Sequence, residues 1–249
     1  MSRLGLQLYT VREQLKEAQS RKETLLRLKE KGCDTVQLFG GIELIRQYGP
    51  DCREMGMEII GILGNLDSFE KEKEDLFDAC RAYGIYDIGV SSGVKTWEEA
   101  AAYVPRLNAF AQEAKAAGFT FSYHNHSNEF TRTSCGQTVM ELFQTGFDPE
   151  NVFFMPDTYW LQHGGCDIRH FLEKMKGRVK ILHLKDMKRG ETGPAFAECG
   201  YGNLWIEGIL KTALDCGIEE FVIEQDQCAG DPVKSVEMSL SYLRGLNML

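Results

Sequence analysis

The sequence predicts an α/β fold, a single (β/α)8 TIM barrel spanning residues 1–249, and three observations predict it. Helix-like stretches end repeatedly in glycine, at Gly32, Gly56, Gly84, Gly118, Gly146, Gly177 and Gly217, and an apolar run follows each one closely. Glycine suits the left-handed residue that ends a helix. The intervals between these glycines, 24 to 40 residues, each accommodate one strand and one helix. The apolar runs number eight, and eight strand–helix units in about 250 residues is the size of a closed barrel. Alternation of this kind points to parallel strands with crossover helices. An open doubly wound sheet alternates too, but no G-x-G-x-x-G follows the first strand, which removes the strongest support for a dinucleotide fold.

Taken in order, the first strand is expected at Leu4–Thr10, and the amphipathic stretch Arg12–Lys31 then reads as a helix. Strands follow at Thr35–Phe39 and Met57–Gly64, and Leu66–Tyr83 supplies another amphipathic segment. Asp67 with Glu70 resembles a capping box at its start. The fourth strand is Ile85–Ser91, and Thr96 with Glu99 caps the helix after it. The fifth, Phe119–His126, has an aromatic face (Phe119, Phe121, Tyr123) and a polar one (Thr120, Ser122, His124, His126) when read with period two. The sixth and seventh are Val152–Asp157 and Val179–Lys185. Met187–Asn203, rich in glycine, reads as a long loop that could cover a substrate. Glu220–Glu224 is the eighth strand, and Met238–Leu246 gives the apolar stripe of a last helix.

Composition bounds the function. A net charge of -9 argues against a nucleic-acid surface, which rewards clustered Lys and Arg. No apolar run approaches the roughly 20 residues of a membrane span, and MSRLGLQLYT is too short and polar for a signal peptide. Eight cysteines form no C-x-x-C pair, so a reduced, cytoplasmic protein with incidental thiols is expected. The expected partner is a small molecule rather than nucleic acid or membrane, and a homo-oligomer is compatible with the sequence.

In such a barrel the active site lies at the C-terminal ends of the strands. There the fifth strand ends in His124 and His126, the sixth in Asp157, the seventh in His183 and Lys185, and the eighth in Glu224 and Asp226. Each has a structural alternative: Asp157 as a helix cap, His183 as a core histidine, Glu224 as an ion-pair partner of Lys185. Together, ligand-type residues on the inward faces of four adjacent strands favour a metal centre. Mixed nitrogen and oxygen donors suit Mn²⁺, Zn²⁺, Co²⁺ or Fe²⁺ better than Ca²⁺. One divalent ion is expected, with Mn²⁺ first.

Tyr123-His124-Asn125-His126, Asp157-Thr158-Tyr159-Trp160, His183-Leu184-Lys185-Asp186 and Glu224-Gln225-Asp226 resemble the strand-end motifs of the xylose isomerase-like barrel superfamily. That superfamily includes sugar isomerases and epimerases, inosose dehydratase and endonuclease IV. The resemblance runs from Leu6-Gln7-Leu8-Tyr9-Thr10 to Ser239-Leu240. In the sugar epimerases that it resembles, Glu, Asp, His and Glu hold one divalent ion, and Asp157, His183 and Glu224 match the last three. The first Glu matches His124, which leaves the fourth ligand open among His124, His126 and Glu129. The change also removes one of two opposed carboxylates. Trp160 stands where related epimerases often carry His, and the Y-H-x-H strand and H-L-K-D motif look closer to inosose dehydratase.

The resemblance implies a metal-dependent sugar, sugar-phosphate or keto-polyol isomerase or epimerase, working by proton abstraction α to a carbonyl through an enediolate. The alternatives are an inosose-type dehydratase and a degenerate, non-catalytic carbohydrate-binding subunit. An acidic chain with five histidines fits a phosphate-gripping nuclease poorly. Glu224 and His126 are the candidate bases, and Lys185 a candidate for stabilising an oxyanion or binding substrate. Gln37 and Trp160 are expected as walls for a sugar ring, and Gly200-Tyr201-Gly202 as the shaper of the covering loop. No phosphate-cradling motif supports a phosphorylated substrate.

Overall fold

The computed structural model describes residues 2–249. Seven parallel strands come first: β1 (Arg3–Gln7), β2 (Thr35–Phe39), β3 (Glu58–Gly64), β4 (Asp87–Ser91), β5 (Thr120–His124), β6 (Phe153–Met155) and β7 (Ile181–Leu184). An antiparallel hairpin, β8 (Asp186–Arg189) with β9 (Pro194–Ala197), intervenes before the last parallel strand, β10 (Glu220–Ile223). The sheet order is β6-β5-β4-β3-β2-β1-β10-β7. Parallel bridges Phe154–Val179 and Asp157–His183 bring β6 back to β7, so eight strands form a nearly closed barrel.

The helices on the outside are α1 (Ala18–Glu30), α2 (Ile42–Glu54), α3 (Leu66–Lys71), α4 (Lys73–Tyr83), α5 (Trp97–Ala116), α6 (Val139–Gly146), α7 (Thr158–His163), α8 (Ile168–Lys174), α9 (Ile206–Asp215) and α10 (Pro232–Gly245). Thr96 and Glu99 form the expected capping box of α5. Gly32, Gly56, Gly84, Gly118, Gly177 and Gly217 take the left-handed conformation. Gly146 does not; it is the last residue of α6, where a Cβ would stand 3.0 Å from Val104.

Several boundaries differ from the sequence reading. β1 stops at Gln7, whose side-chain oxygen accepts the Tyr9 amide and turns Leu8–Val11 into a 3-10 helix. The first long helix begins at Ala18, not Arg12. Leu66–Tyr83 is two helices broken at Glu72, and the cap is Asn65, which accepts the Asp67 and Ser68 amides; Asp67 is a first-turn residue. Met187–Asn203 is no irregular loop, since its first part pairs as the β8–β9 hairpin.

The main core fills the layer between strands and helices, where Phe121 and Tyr123 turn their rings outward onto Phe110 and Phe143. Inside the barrel a second, small cluster of Ile60, Met155, Ile181 and Val222 forms a plug. A β-bulge in β3 shifts the register, so that Val36 faces Ile59 but Gln37 faces Gly61. A Cβ at position 61 would stand 3.3 Å from the Gln37 amide nitrogen, so glycine makes room for that side chain. Bulges beside active sites commonly re-aim a side chain in this way.

Candidate active site

Above the plug, the ends of β5, β6, β7 and β10 bring His124, Asp157, His183 and Glu224 together. One ligand-type atom from each lies within 4.8 Å of the others, and all four residues are buried. The period-two reading of the fifth strand holds at this point: Ser122 and His124 face the lumen while Tyr123 faces the helices.

Asp157 does two things at once. Its Oδ1 accepts the Trp160 amide at 3.0 Å and caps α7. Its Oδ2 turns inward, 3.4 Å from His124 Nε2 and 2.9 Å from Lys185 Nζ. Capping and site formation are thus the same carboxylate. Burial alone would raise Asp157, but the Lys185 ammonium and His124 outweigh it and hold the carboxyl below its ordinary value. Glu224 is held well below its own, because the Lys185 ammonium outweighs burial there too.

The proton on His183 is fixed from a distance. The Tyr9 backbone amide can only donate, and Gln7 Oε1 receives it at 3.2 Å. The Gln7 amide nitrogen therefore faces Gln37 Oε1, at 2.8 Å. Gln37 Oε1, an acceptor, lies 2.8 Å from His183 Nε2, which must then carry the hydrogen. Burial lowers the pKa of His183 and keeps the ring neutral, so Nδ1 is left as a lone pair. That lone pair faces Glu224 Oε2 at 2.9 Å, two acceptors in contact. A cation between them would satisfy both.

The remaining donors fit the same ion. Both ring nitrogens of His124 and Oδ2 of Asp157 are buried without a hydrogen-bond partner among the described residues. Two imidazoles and two carboxylates form a donor set suited to a first-row divalent metal. His124 is the fourth member of this set. Glu129 is not: Tyr123 Oη donates to it at 2.7 Å and the His126 amide at 3.1 Å, so it braces the loop after β5.

A cavity of about 620 Å³ opens over this cluster, bordered by Gln7, His126, Lys185, Glu224 and Asp226. His126 stands on its wall with ring centroids 5.1 Å from His124 and 5.4 Å from Trp160. Burial, then the neighbouring His124, push His126 down to about 4, so the imidazole is uncharged at neutral pH. Gln37 is fully buried beneath His183 and is not a wall of the cleft, contrary to the sequence reading. Trp160 is set back beside His126 and Lys185, its indole nitrogen buried without a hydrogen-bond partner among the described residues.

Three residues to which the sequence reading gave no role complete the surroundings. Phe196 on β9 stacks on Tyr159 at 4.2 Å and meets the Trp160 ring at 6.0 Å. Gln7 anchors the amide chain to His183. Asp186 accepts the amides of Met187, Gly200, Gly202 and Leu204, and so ties the loop after the hairpin to the end of β7. The Gly200-Tyr201-Gly202 segment is shaped by this carboxylate, because a Cβ on Gly202 would collide with it.

The profile of the family described as xylose isomerase-like TIM barrel matches residues 25–246. Among curated proteins, an inosose dehydratase from Clostridium perfringens is 26% identical over 156 residues, covering 55% of this chain and 52% of that protein. The chain spans about half the length of the curated relatives it matches. Among solved structures, a sugar phosphate isomerase/epimerase from Parabacteroides distasonis superposes with a TM-score of 0.83 at 24% identity, covering 99% of this chain and 95% of that one. A xylose isomerase-like TIM barrel protein from Mycobacterium smegmatis in complex with magnesium gives a TM-score of 0.76 at 15% identity, covering 100% and 97%. At such identities the likeness is one of fold. Barrel closure, the strand-end residues and the match across residues 25–246 lead to one statement of kinship: the chain belongs to the xylose isomerase-like TIM barrel family.

Proposed function

We propose that the protein is a divalent-metal-dependent isomerase or epimerase of a keto-sugar or keto-polyol, acting by proton transfer at the carbon next to a carbonyl. The convergence of His124, Asp157, His183 and Glu224 on one point beneath a sugar-sized cleft carries this reading. The names of the neighbouring isomerases and epimerases agree with it. Those four side chains would hold the metal, with Mn²⁺ first among the candidates. Bound there, it would supply Lewis acidity to a substrate carbonyl.

The protein's own groups do the rest. His126 is the favoured base: it lies on the cleft wall and its ring makes no hydrogen bond among the described residues. Glu224 also borders the cleft, but its Oε2 faces His183 Nδ1 and would be taken up by the metal. Lys185 offers an ammonium to a substrate oxygen, and the aromatic faces of Trp160 and Phe196 keep that corner apolar. A second reading is supported by the curated relatives, which are named inosose dehydratase. The same α-proton is removed there, and a β-hydroxyl then leaves as water.

The test is solvent-deuterium exchange by NMR with added Mn²⁺, over keto-sugars with and without phosphate and over inososes. Exchange without loss of water supports isomerisation or epimerisation, and loss of water supports the dehydratase. Replacing His126 with Gln should slow exchange by about 10²–10⁴-fold with Mn²⁺ still bound. Sugar binding without exchange in any substrate would leave a carbohydrate-binding subunit and end the catalytic reading.

A further inference from the structure

Lys185 sits where an ammonium is unexpected. Its Nζ is 2.9 Å from Asp157 Oδ2 and 3.0 Å from Glu224 Oε2, two of the oxygens that would ligate a metal, and the residue is almost wholly buried. A third carboxylate, Asp226, lies 2.9 Å away through Oδ1. Of the three, only the pair with Asp226 has hydrogen-bond geometry. The ammonium lies beside Asp157 and Glu224, off the direction in which it could donate to them. Their lone pairs remain available to something else.

Asp226 differs from the other two in position. Its side chain is 20% exposed at the cleft mouth, whereas those of Asp157 and Glu224 are 0% and 6% exposed. Its backbone carbonyl is held by Arg12, whose guanidinium in turn stacks on Tyr9 at 4.1 Å. The rings of Trp160 and Phe196 lie 5.6 and 5.8 Å from Nζ, within the range of cation–π attraction. The ammonium thus has a second, pre-built berth that uses none of the four metal-ligand side chains.

We infer that Lys185 is a displaceable counter-cation that competes with the divalent metal for Asp157 and Glu224 and retreats to Asp226, Trp160 and Phe196 when the metal binds. This rests on the metal-dependent reading above and adds to it a device that sets metal affinity. A monovalent and a divalent cation cannot share the same two oxygens at close range without strong like-charge repulsion in a buried site. The protein therefore holds its carboxylates compensated by one cation or the other, and metal binding becomes an exchange.

The test is isothermal titration of Mn²⁺ into four proteins: the wild type, Lys185→Met, Asp226→Asn and the double variant. Lys185→Met should bind Mn²⁺ about ten-fold or more tightly than the wild type, because the competing charge is gone. Asp226→Asn should weaken binding in the wild-type background and have no effect in the Lys185→Met background, because its role is to berth the ammonium. Equal or weaker binding by Lys185→Met overturns the inference. An Asp226→Asn loss of the same size in both backgrounds overturns the berth, since general electrostatics would then account for it. If Lys185→Met does not fold, Lys185→Gln gives the same comparison with a polar side chain. Absence of Mn²⁺ binding in both the wild type and Lys185→Met would instead remove the metal reading itself.

Discussion

Gln37 makes no contact with the cleft, yet it decides which nitrogen of His183 can ligate a metal. The chain from the Tyr9 amide through Gln7 and Gln37 leaves one outcome, a hydrogen on Nε2 and a lone pair on Nδ1. Groups that orient a ligating histidine are typically worth 10- to 100-fold in metal affinity. Gln37→Leu should therefore weaken Mn²⁺ binding by about that factor, measured by titration, with little change in fold because the methyl groups fill the same buried space. Unchanged affinity would mean that His183 keeps its tautomer without help. Nothing in the sequence announces this role, because the two residues are 146 positions apart and Gln37 alone reads as a polar strand residue. His124, Asp157, His183 and Glu224 were legible for a different reason. Each ends a strand on its inward face, and the two-residue period of a strand fixes that face from local sequence. Lys185 was legible as a site residue and Glu224 as its ion-pair partner, but the other two carboxylates, Asp157 and Asp226, were not, since they follow β6 and β10 and meet the ammonium only in the closed barrel.

At the level of elements, strand positions could be read and their ends could not. The strand after Gly217 and the helix after Thr96 stand where hydrophobic pattern and capping chemistry put them. The start of α1 was misplaced because Val11 and Leu15 are buried and prolong the apolar pattern through a stretch that is not helical. The β8–β9 hairpin was hidden by Gly190, Gly193 and Pro194, which together look like loop chemistry. What orders this segment is Asp186, whose carboxylate accepts amides at 2.7 to 3.2 Å from four residues. Asp186→Ala would leave those donors without their acceptor, and hydrogen bonds to a charged group are worth roughly 1.5–3 kcal/mol each when removed with burial intact. Water will satisfy some of them at this partly exposed loop, so a loss of about 2–3 kcal/mol in urea unfolding is expected. Faster proteolytic cleavage within residues 187–205 should accompany it. A variant as stable and as protease-resistant as the wild type would show that the hairpin orders the loop unaided.

The whole molecule divides along the barrel axis into a chemical end and a structural end. At the N-terminal ends of the strands, Arg3 pairs with Glu58 and Glu220, and Tyr86 donates to Glu220, so three strands are joined there. Asp87 lies at the same end, almost completely buried, with Ser122 donating to its Oδ1 at 2.7 Å and Oδ2 without a hydrogen-bond partner among the described residues. Burial pushes this carboxyl up to about 7, against the Ser122 hydrogen bond and with the Glu220 charge adding to the rise. In the unfolded chain an aspartate titrates near 3.9. Between these values the folded state holds a proton that the unfolded state has released, so stability rises as the pH falls through 7. For a folded pKa of about 7, the change from pH 8 to pH 6 amounts to about 1.4 kcal/mol from this one group. Asp87→Asn keeps the shape and removes the titration. The difference in unfolding free energy between variant and wild type, measured in urea at pH 8 and pH 6, should therefore shrink by about that amount on acidification, with the variant the more stable protein at pH 8. A difference that does not change with pH would place an ionised Asp87 in the folded barrel, paired with Lys180 or with water at the base of the lumen.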